Sequence, residues 1–279
     1  MHSYLPDSVP LHERGANHKG SLLFLHANSY SAELYRGFLE PLESEYRITS
    51  PDLPGHGDSQ WSGRIKSWEE LADYYLGILN LEDASEPKIG MGHSIGGILI
   101  MFMAIKRPNL FSKIILLDPV LPPKHILYIL RVMRPLSLTH LNPLSQAALR
   151  RKTRFTSAER AHEHYGRKQV FAGWKPEFLQ AYVDTCMRTG ADGSVQLACR
   201  PELESSIYQS LPPKVWSLPR KISTPALYIA GSHSDTIDGR GLKRLRRKVG
   251  HERVKLVEGG HLFPFEDPLA SMRLIKAFL

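Results

Sequence analysis

The feature that most constrains this chain is the segment GMGHSIGG at residues 90–97, which leads into the apolar run ILIMFMAI. The residues before it are typical of a buried β-strand and those after it of a buried helix, so the chain must turn from one directly into the other. A turn this tight strains its central residue, which is tolerable only where the neighbouring residues lack bulk. Gly92 and Gly96 meet that need and leave His93 and Ser94 as polar residues at the turn.

Ser94 lies in GHSIG, a match to the pattern G-x-S-x-G between a predicted strand and a predicted helix. In this context the pattern predicts a serine held at the carboxyl edge of the sheet. There the first amide of the following helix, on Ile95, can stabilise an oxygen on which negative charge develops, helped by the helix dipole. We predict that Ser94 is a nucleophile; the alternative is that it only caps the helix.

Short apolar runs alternate with helical patterns over about the first 122 residues, which predicts an α/β protein with a mostly parallel sheet covered by helices on both faces. The helical segment SWEELADYYLGIL opens with Ser67 and Glu70 in the spacing of a capping box. The strand pattern returns near the end of the chain. The predicted strands cover residues 21–26, 46–52, 87–92, 113–118, 225–231 and 253–261.

Residues 123–215 differ in sequence pattern from the rest of the chain. Prolines cluster at both ends, and the interior carries helical patterns such as PEFLQAYVDTCM without strand signals. We predict a helical cap inserted into a core formed by residues 1–122 and 216–279. The cap should roof the nucleophile, and its aromatic side chains either line an apolar pocket or form the core of the cap. These aromatic residues are Tyr128, Phe171, Trp174 and Tyr182.

Composition and charge exclude several classes of protein. The formal net charge of +8 comes without a recognisable nucleic-acid-binding module, so no nucleic-acid partner is expected. Much of the charge lies at residues 240–253, where Leu242, Leu245 and Val249 recur at helical spacing, which indicates an amphipathic helix with a solvated basic face. The longest apolar run, residues 95–105, is well short of the roughly 20 residues that cross a bilayer. With no targeting signal at the N-terminus, a cytoplasmic location is expected.

No signature of a cofactor is present in the sequence. Neither a nucleotide-binding fingerprint nor a convincing metal-ligand spacing occurs, so we expect no cofactor and no metal. Cys186 and Cys199 are expected to be reduced packing residues rather than a disulfide.

A serine nucleophile needs a base, and His261 is the candidate. In this type of sheet the histidine should follow the last strand, as His261 does in VKLVEGGH. The side chain of His93, next to the nucleophile, should point away from Ser94. The other histidines in predicted loops near strand ends are His26, His56 and His233.

Two aspartates compete for the role of the acid that orients His261. Asp235 follows the strand ALYIAG and fits the expected order of serine, acid and histidine. Asp118 also ends a strand, in KIILLD, and is the rival; otherwise it only caps a loop beside Pro119. Both belong to loops at the carboxyl ends of strands, where open α/β sheets bind ligands. We expect Asp235 to be the acid.

A second backbone amide should complete the oxyanion hole, from the loop FLHANSYSAELY after the first core strand. Asn28 and Ala27 are both possible donors. Because the donor is main chain, side-chain identity does not choose between them.

Taken together, these motifs resemble those of the α/β-hydrolase fold superfamily, in particular its serine hydrolases with a helical cap. The matching segments are LHANS, DLPGHGDS, GHSIGG, the Asp235 loop and GGHLFPFEDP, and the resemblance covers nearly the whole chain. The chain departs from the family pattern in having HANS in the oxyanion loop and four residues, where three are usual, between Gly231 and Asp235. Haloalkane dehalogenases and epoxide hydrolases of this fold use aspartate at the turn, so Ser94 argues against both.

The resemblance implies covalent catalysis by Ser94, His261 and Asp235 on a small-molecule acyl substrate. We predict a carboxylic-ester hydrolase acting on small to medium apolar esters. The alternatives of the same fold are a thioesterase, a lactonase, a carbon–carbon bond hydrolase, an acyltransferase and a non-catalytic receptor or regulatory protein.

Overall fold

The structure is a computed structural model that describes residues 5–16, 18–80 and 86–279. The strands are β1 (Leu11–Arg14), β2 (Ser21–Leu25), β3 (Arg47–Pro51), β4 (Lys88–His93), β5 (Phe111–Leu117), β6 (Arg154–Phe155), β7 (Met187–Thr189), β8 (Val195–Leu197), β9 (Ala226–Gly231) and β10 (Val254–Val257). Seven of them form the central sheet in the order β1-β3-β2-β4-β5-β9-β10. Its pairings are parallel except for that of the edge strand β1 with β3. The predicted α/β class and mostly parallel sheet are confirmed.

Helices cover both faces of this sheet. The α-helices are α1 (Arg36–Leu39), α2 (Trp68–Ile78), α3 (Ile95–Lys106), α4 (Lys124–Met133), α5 (Pro143–Leu149), α6 (Ala158–Gly166), α7 (Pro176–Thr185), α8 (Pro201–Gln209), α9 (Gly239–Val249), α10 (Phe263–Glu266) and α11 (Pro268–Phe278). Short 3-10 helices span Glu33–Tyr35, Glu40–Leu42, Thr139–Leu141, Gln169–Phe171 and Val215–Arg220.

The central sheet separates two hydrophobic cores, and the side chains of β2 alternate between them. Leu23 and Leu25 belong to the core that contains α2 and α3, whereas Leu22 and Phe24 belong to the core on the other face. Successive side chains of a strand point to opposite faces, and a strand covered on both sides therefore reads as a continuous apolar run. This is why the sequence shows β2 as SLLFL rather than as an alternating pattern.

Two helices predicted from the sequence form as expected. The hydroxyl of Ser67 accepts a hydrogen bond from the Glu70 amide and caps α2. In α9, Leu245 is buried while Leu242 and Val249 pack against the core. The exposed residues of this helix include the basic residues Arg240, Lys243 and Arg247.

Residues 123–215 contain α4 to α8 and also a small antiparallel sheet in the order β6-β8-β7. The expectation that this segment lacks strands is wrong. Each of these strands has only two or three residues, too few to produce a period-two pattern that distinguishes a strand from its surroundings. The division of the chain into core and cap stays a prediction.

Within the described ranges, no helix combines the length and the apolar character required to cross a membrane.

Candidate active site

Ser94 occupies the turn between β4 and α3, since β4 ends at His93 and α3 begins at Ile95. Its backbone has φ 58° and ψ −119°, a conformation that costs energy for a residue with a side chain. The Ser94 amide donates to the Leu117 carbonyl at 2.9 Å, and this bond ties the turn to the end of β5. Ser94 forms no capping hydrogen bond to α3 through its side chain, which argues against a purely capping role.

The two glycines beside the turn allow backbone segments to approach closely. A Cβ atom on Gly96 would lie 2.0 Å from the Leu25 carbonyl oxygen, and one on Gly92 would lie 2.4 Å from the Gly96 carbonyl carbon. Any side chain at either position would therefore push β2 or α3 away from the turn. The strained position of Ser94 depends on both glycines.

His261, in the loop after β10, pairs with Asp118 at the end of β5. The distance from His261 Nδ1 to Asp118 Oδ2 is 2.6 Å, and Asp118 is fully buried while the His261 side chain is 20% exposed. A carboxylate at Nδ1 holds the proton on that nitrogen and leaves Nε2 as the basic nitrogen of the ring. The pair has the chemistry of a base and the acid that orients it.

Asp118 is surrounded by donors that stabilise its charged form. Its Oδ1 accepts from the Gly231 amide at 3.1 Å, and its Oδ2 accepts from the hydroxyls of Ser234 and Thr236. Burial acts to raise the pKa of Asp118, but the hydrogen bond and charge of His261 and the two hydroxyls together hold this pKa below its ordinary value. Asp118 is therefore an anion next to His261.

Asp235, the acid expected from the sequence, is exposed to solvent in the loop after β9. The structure pairs Asp118, not Asp235, with His261. Because β9 lies between β5 and β10, the end of β5 and the loops after β9 and β10 meet at one edge of the sheet, where Asp118 is buried and Asp235 is exposed. The loop after β9 supplies Ser234 and Thr236 as donors to Asp118, on either side of the exposed Asp235. We correct the candidate acid to Asp118.

His93 supports the main chain at His261. Its Nε2 donates to the His261 carbonyl at 2.9 Å, and its Nδ1 accepts from the Tyr35 hydroxyl at 2.6 Å. Burial, together with the charge of nearby His261, lowers the pKa of His93 to about 3, so the ring is neutral and both nitrogens have defined roles. His93 and His261 also lie with ring centroids 4.9 Å apart. Ser94 thus follows a residue that contacts the candidate base.

The oxyanion loop after β2 is held by side chains from two directions. Asn28 Nδ2 donates to the Glu204 carbonyl at 3.3 Å, and its Oδ1 lies 3.2 Å from Nε2 of the buried His56. The amide of Ile95 is the first of α3 and has no acceptor within that helix. Burial raises the pKa of Tyr35, and a hydrogen bond from the Ala27 backbone opposes this effect. Asn28 and Ala27 both remain predicted second donors.

His26 and His56 are two of the other histidines near strand ends. Their contacts hold neighbouring loops together. His26 Nδ1 donates to the Ala27 carbonyl at 2.7 Å, and its Nε2 accepts from the Leu53 amide at 2.7 Å. Burial lowers the pKa of His26, and burial with the charge of His26 lowers that of His56 to about 3. Both rings are therefore neutral. His233 is exposed and lies 3.3 Å from Glu258.

A group of possible metal ligands occurs at the end of β3. His12, Asp52 and Asp58 bring ligand atoms within 4.8 Å of one another. The Asp52 carboxylate is already engaged, because it accepts from the amides of Ala32 and Asp58 and lies 3.2 Å from His12 Nε2. These contacts match a carboxylate that ties loops together.

Three of the four aromatic residues predicted to line a pocket come together. Phe171, Trp174 and Tyr182 are buried, and their ring centroids lie 4.6 to 6.1 Å apart. Tyr30 of the oxyanion loop joins them, and Phe265 lies 4.3 Å from Trp174. Tyr128, the fourth, is 69% exposed on α4 and belongs to a different surface.

Arg151 points inward, toward the same region. Its guanidinium donates to Glu204 Oε2 and to the Tyr182 hydroxyl, both at 2.6 Å. Because Glu204 is 7% exposed and Arg151 is 21% exposed, the pair is partly desolvated and the two charges compensate each other.

The sequence interpretation missed several residues of this site. Tyr35, Ser234 and Thr236 hold the candidate base and acid, and neither their type nor their spacing distinguishes them in the sequence. Phe265 could have been found, since it follows His261 closely in GGHLFPFEDP.

Comparison with known proteins agrees with this geometry. A family model described as the alpha/beta hydrolase family matches residues 22–272. The uncharacterized hydrolase YugF of Bacillus subtilis is 34% identical over 98 residues, 35% of this chain and 36% of that protein. The pimeloyl-[acyl-carrier protein] methyl ester esterase of Vibrio campbellii is 30% identical over 108 residues, 39% of this chain and 40% of that protein. Both matches thus span well under half of the relative's length.

Solved structures extend the likeness to almost the whole chain. The E-2-(acetamidomethylene)succinate hydrolase superposes with a TM-score of 0.77 at 17% identity, over 96% of this chain and 93% of that one. At this level of identity the match concerns the fold. The resemblance to the α/β-hydrolase fold inferred from the sequence is confirmed.

Proposed function

Because this chain belongs to the alpha/beta hydrolase family, we propose that it cleaves carboxylic esters of small to medium apolar substrates through an acyl-enzyme on Ser94. The observation that carries the proposal is the strained turn at Ser94, which directly follows His93, together with the His261–Asp118 pair whose main chain His93 contacts at 2.9 Å. The esterase among the relatives supports a hydrolase of ester bonds over other chemistry of the fold.

In the proposed reaction, Ser94 Oγ attacks the acyl carbon while His261 Nε2 takes the hydroxyl proton. The imidazolium that forms is stabilised by Asp118, 2.6 Å away. Collapse of the tetrahedral intermediate breaks the bond to the alcohol, which leaves with the proton from His261. Water then attacks the acyl-enzyme with His261 again as base; the bond to Ser94 Oγ breaks, Ser94 takes the proton from His261, and the carboxylic acid is released.

The developing oxyanion would accept hydrogen bonds from the amides of Ile95 and Asn28. Ile95 is favoured because its amide is the first of α3, where the helix dipole adds to the hydrogen bond. Asn28 is proposed as the second donor because its side chain, which contacts the Glu204 carbonyl and His56, fixes the loop at this residue. Loss of one such donor costs on the order of 10² to 10³ in rate.

The buried aromatic cluster supports an apolar substrate. Trp174 and Tyr182 contact Tyr30 of the loop after β2, so the surroundings of that loop are aromatic and apolar, which supports an apolar substrate. The nearby charge of Arg151 is compensated by Glu204, which favours an uncharged substrate over an anionic one.

The test is a series of p-nitrophenyl esters of increasing acyl length, assayed with wild type and with Ser94→Ala. We expect turnover of the shorter esters and a loss on the order of 10⁴-fold or more in kcat for the variant. Ser112→Ala, at an exposed serine, is the matched control and should behave as wild type.

Labelling with a fluorophosphonate, read by the mass of the intact protein, separates the alternatives. A wild type that is labelled at Ser94 but turns over no ester would indicate another acyl transfer reaction, and faster cleavage of a matched thioester would indicate a thioesterase. No labelling and no turnover would contradict the proposal and favour a non-catalytic protein of this fold.

A further inference from the structure

The outer surface of residues 124–149 is unusually apolar. Of the thirteen large hydrophobic side chains that are exposed within the described ranges, nine lie in this short segment. We call this surface the outer cap face. Its apolar members are Ile126, Tyr128, Ile129, Val132, Leu136, Leu138, Leu141, Leu144 and Leu149.

Helix α4 shows that this exposure is not a by-product of packing. Leu127 and Leu130 are buried and belong to the main core, which accounts for one face of the helix. A surface helix normally carries polar residues on its other face. Here Ile129 and Val132, three residues apart, are 48% and 47% exposed and extend an apolar stripe toward solvent. The helix is apolar on a face that no other described part of the chain covers.

The charged residues of this part of the chain are all cations, of which Arg154 is paired with Asp192 of another segment at 2.9 Å. From Pro119 to Ala158 the chain contains no aspartate or glutamate. Over the same residues it has seven lysines and arginines, and Arg151 is the member that turns inward to Glu204. Those in exposed positions are Lys124, Arg131, Arg134, Arg150, Lys152 and Arg154.

We infer that the outer cap face docks on the surface of an anionic lipid bilayer. An exposed apolar stripe edged with lysine and arginine satisfies both demands of such a surface, since the apolar side chains enter the interface while the cations meet the headgroups. A symmetric dimer through the same face would bring the two sets of cations toward each other, which opposes association. Charge complementarity therefore selects the anionic bilayer over a second copy.

Hydrogen bonds connect the outer cap face to the candidate active site. The Ser145 hydroxyl of α5 lies 2.6 Å from the Ser205 hydroxyl of α8. The next residue before Ser205 is Glu204, whose carbonyl accepts from Asn28 of the oxyanion loop. A bilayer on the outer cap face would thus lie against the same helices that support the oxyanion loop.

The experiment measures partitioning of the Ser94→Ala protein, which cannot hydrolyse lipid by the proposed route, onto sedimented vesicles. One set of vesicles is phosphatidylcholine, and the other is an equal mixture of phosphatidylcholine and phosphatidylglycerol. We expect partitioning at least about tenfold stronger onto the mixed vesicles. Equal partitioning onto both sets, or onto neither, would overturn the inference.

Two pairs of matched variants locate the contact. Ile129→Ser combined with Val132→Ser should weaken partitioning roughly tenfold. The same change at Leu256 and Leu269, which are exposed elsewhere, should have no effect. Arg131→Gln should weaken it about fivefold, whereas Lys243→Gln on the basic helix α9 should not. If Lys243→Gln weakened partitioning and Arg131→Gln did not, the binding would be assigned to α9 and the inference would be overturned.

Ile129→Trp places a fluorescent side chain on the outer cap face, so binding is observed as a change in fluorescence and not as a loss of partitioning. Its fluorescence should shift to the blue with mixed vesicles, and that of Leu269→Trp should stay unchanged. Sedimentation equilibrium of the protein alone tests whether a second copy of the chain occupies this face instead. If the protein is a dimer that Ile129→Ser with Val132→Ser dissociates, and it does not bind vesicles, the inference is overturned. The inference does not rest on ester hydrolysis, because vesicle binding is measured with Ser94→Ala.

Discussion

The edge of the sheet at Ser94 and the outer cap face use side chains in opposite ways. At the sheet edge, polar groups are buried and bonded to one another, as in the bonds that join Tyr35, His93 and the main chain at His261. On the outer cap face, apolar groups are exposed, and the described residues supply no cover for them. Buried polar groups need exact partners, whereas exposed apolar groups need only an apolar phase. The first region is therefore suited to fixed geometry, and the second to contact with a surface.

The largest effect that tests this contrast is expected at Asp118. Asp118→Asn should lower kcat/KM for an ester on the order of 10² to 10⁴-fold, because the amide disturbs the His261 tautomer and removes the charge that stabilises the imidazolium. Asp235→Asn, at an exposed residue of the neighbouring loop, should stay within about twofold of wild type.

Steady-state kinetics of both variants, with thermal unfolding as the control for folding, settle this prediction. Equal losses in the two variants would remove Asp118 from the proposed role. A larger loss in Asp235→Asn would return the role to the residue that the sequence favoured.

The next effect concerns two aromatic residues of the segment predicted as a cap. Trp174→Ala should lower the free energy of unfolding by about 3 to 5 kcal/mol, since the ring is buried against Phe171 and Phe265. Tyr128→Ala should change it by less than about 0.5 kcal/mol, because its ring is 69% exposed. Urea unfolding gives both values, and a similar cost at the two positions would contradict the contrast between buried and exposed faces.

The buried histidines predict how stability depends on pH. His56 and His93 have pKa values of about 3 in the folded protein, against 6.5 ordinarily. Between these values the unfolded chain binds more protons, so the free energy of unfolding should decrease as the pH falls below 6.5. Each neutral histidine contributes a slope of up to about 1.4 kcal/mol per pH unit.

Replacing one of the two histidines sharpens this prediction. Urea unfolding at a series of pH values gives the slope of the free energy of unfolding against pH. For His56→Gln this slope should be smaller than for wild type by the contribution of one histidine, up to about 1.4 kcal/mol per pH unit. His125→Gln, at an exposed histidine of α4, controls for the loss of a surface imidazole. A wild-type slope in His56→Gln would show that His56 does not stay neutral.

The smallest effect is expected at Tyr35, which acts on His261 through His93. Tyr35→Phe removes the donor to His93 Nδ1, so kcat should fall roughly threefold to tenfold while KM is unchanged. The matched control is Tyr74→Phe, because the Tyr74 hydroxyl is buried without a hydrogen-bond partner in the described part of the chain. An increase in KM with unchanged kcat would indicate that Tyr35 shapes the pocket rather than positions the base.

Local interactions made much of the fold predictable. Ser67 caps α2 as its spacing with Glu70 predicts, and β2 is the continuous apolar run of a strand covered on both faces. The expectation of a purely helical cap failed because strands of two or three residues, such as β6, are held by pairing with distant residues and leave no local pattern.

By itself the sequence determined the strained turn, since only small neighbours such as Gly92 and Gly96 permit Ser94 to sit between β4 and α3. It also placed His261 after the last strand. The choice of Asp118 over Asp235 was decided only by the tertiary structure, because both aspartates follow strands, and only the contacts between segments show that Asp118 is buried against His261 while Asp235 faces solvent. The same holds for the aromatic residues, of which Trp174 packs inward and Tyr128 faces outward. Local patterns fix which residues can turn, cap or pair, whereas contacts between distant segments decide which of them meet.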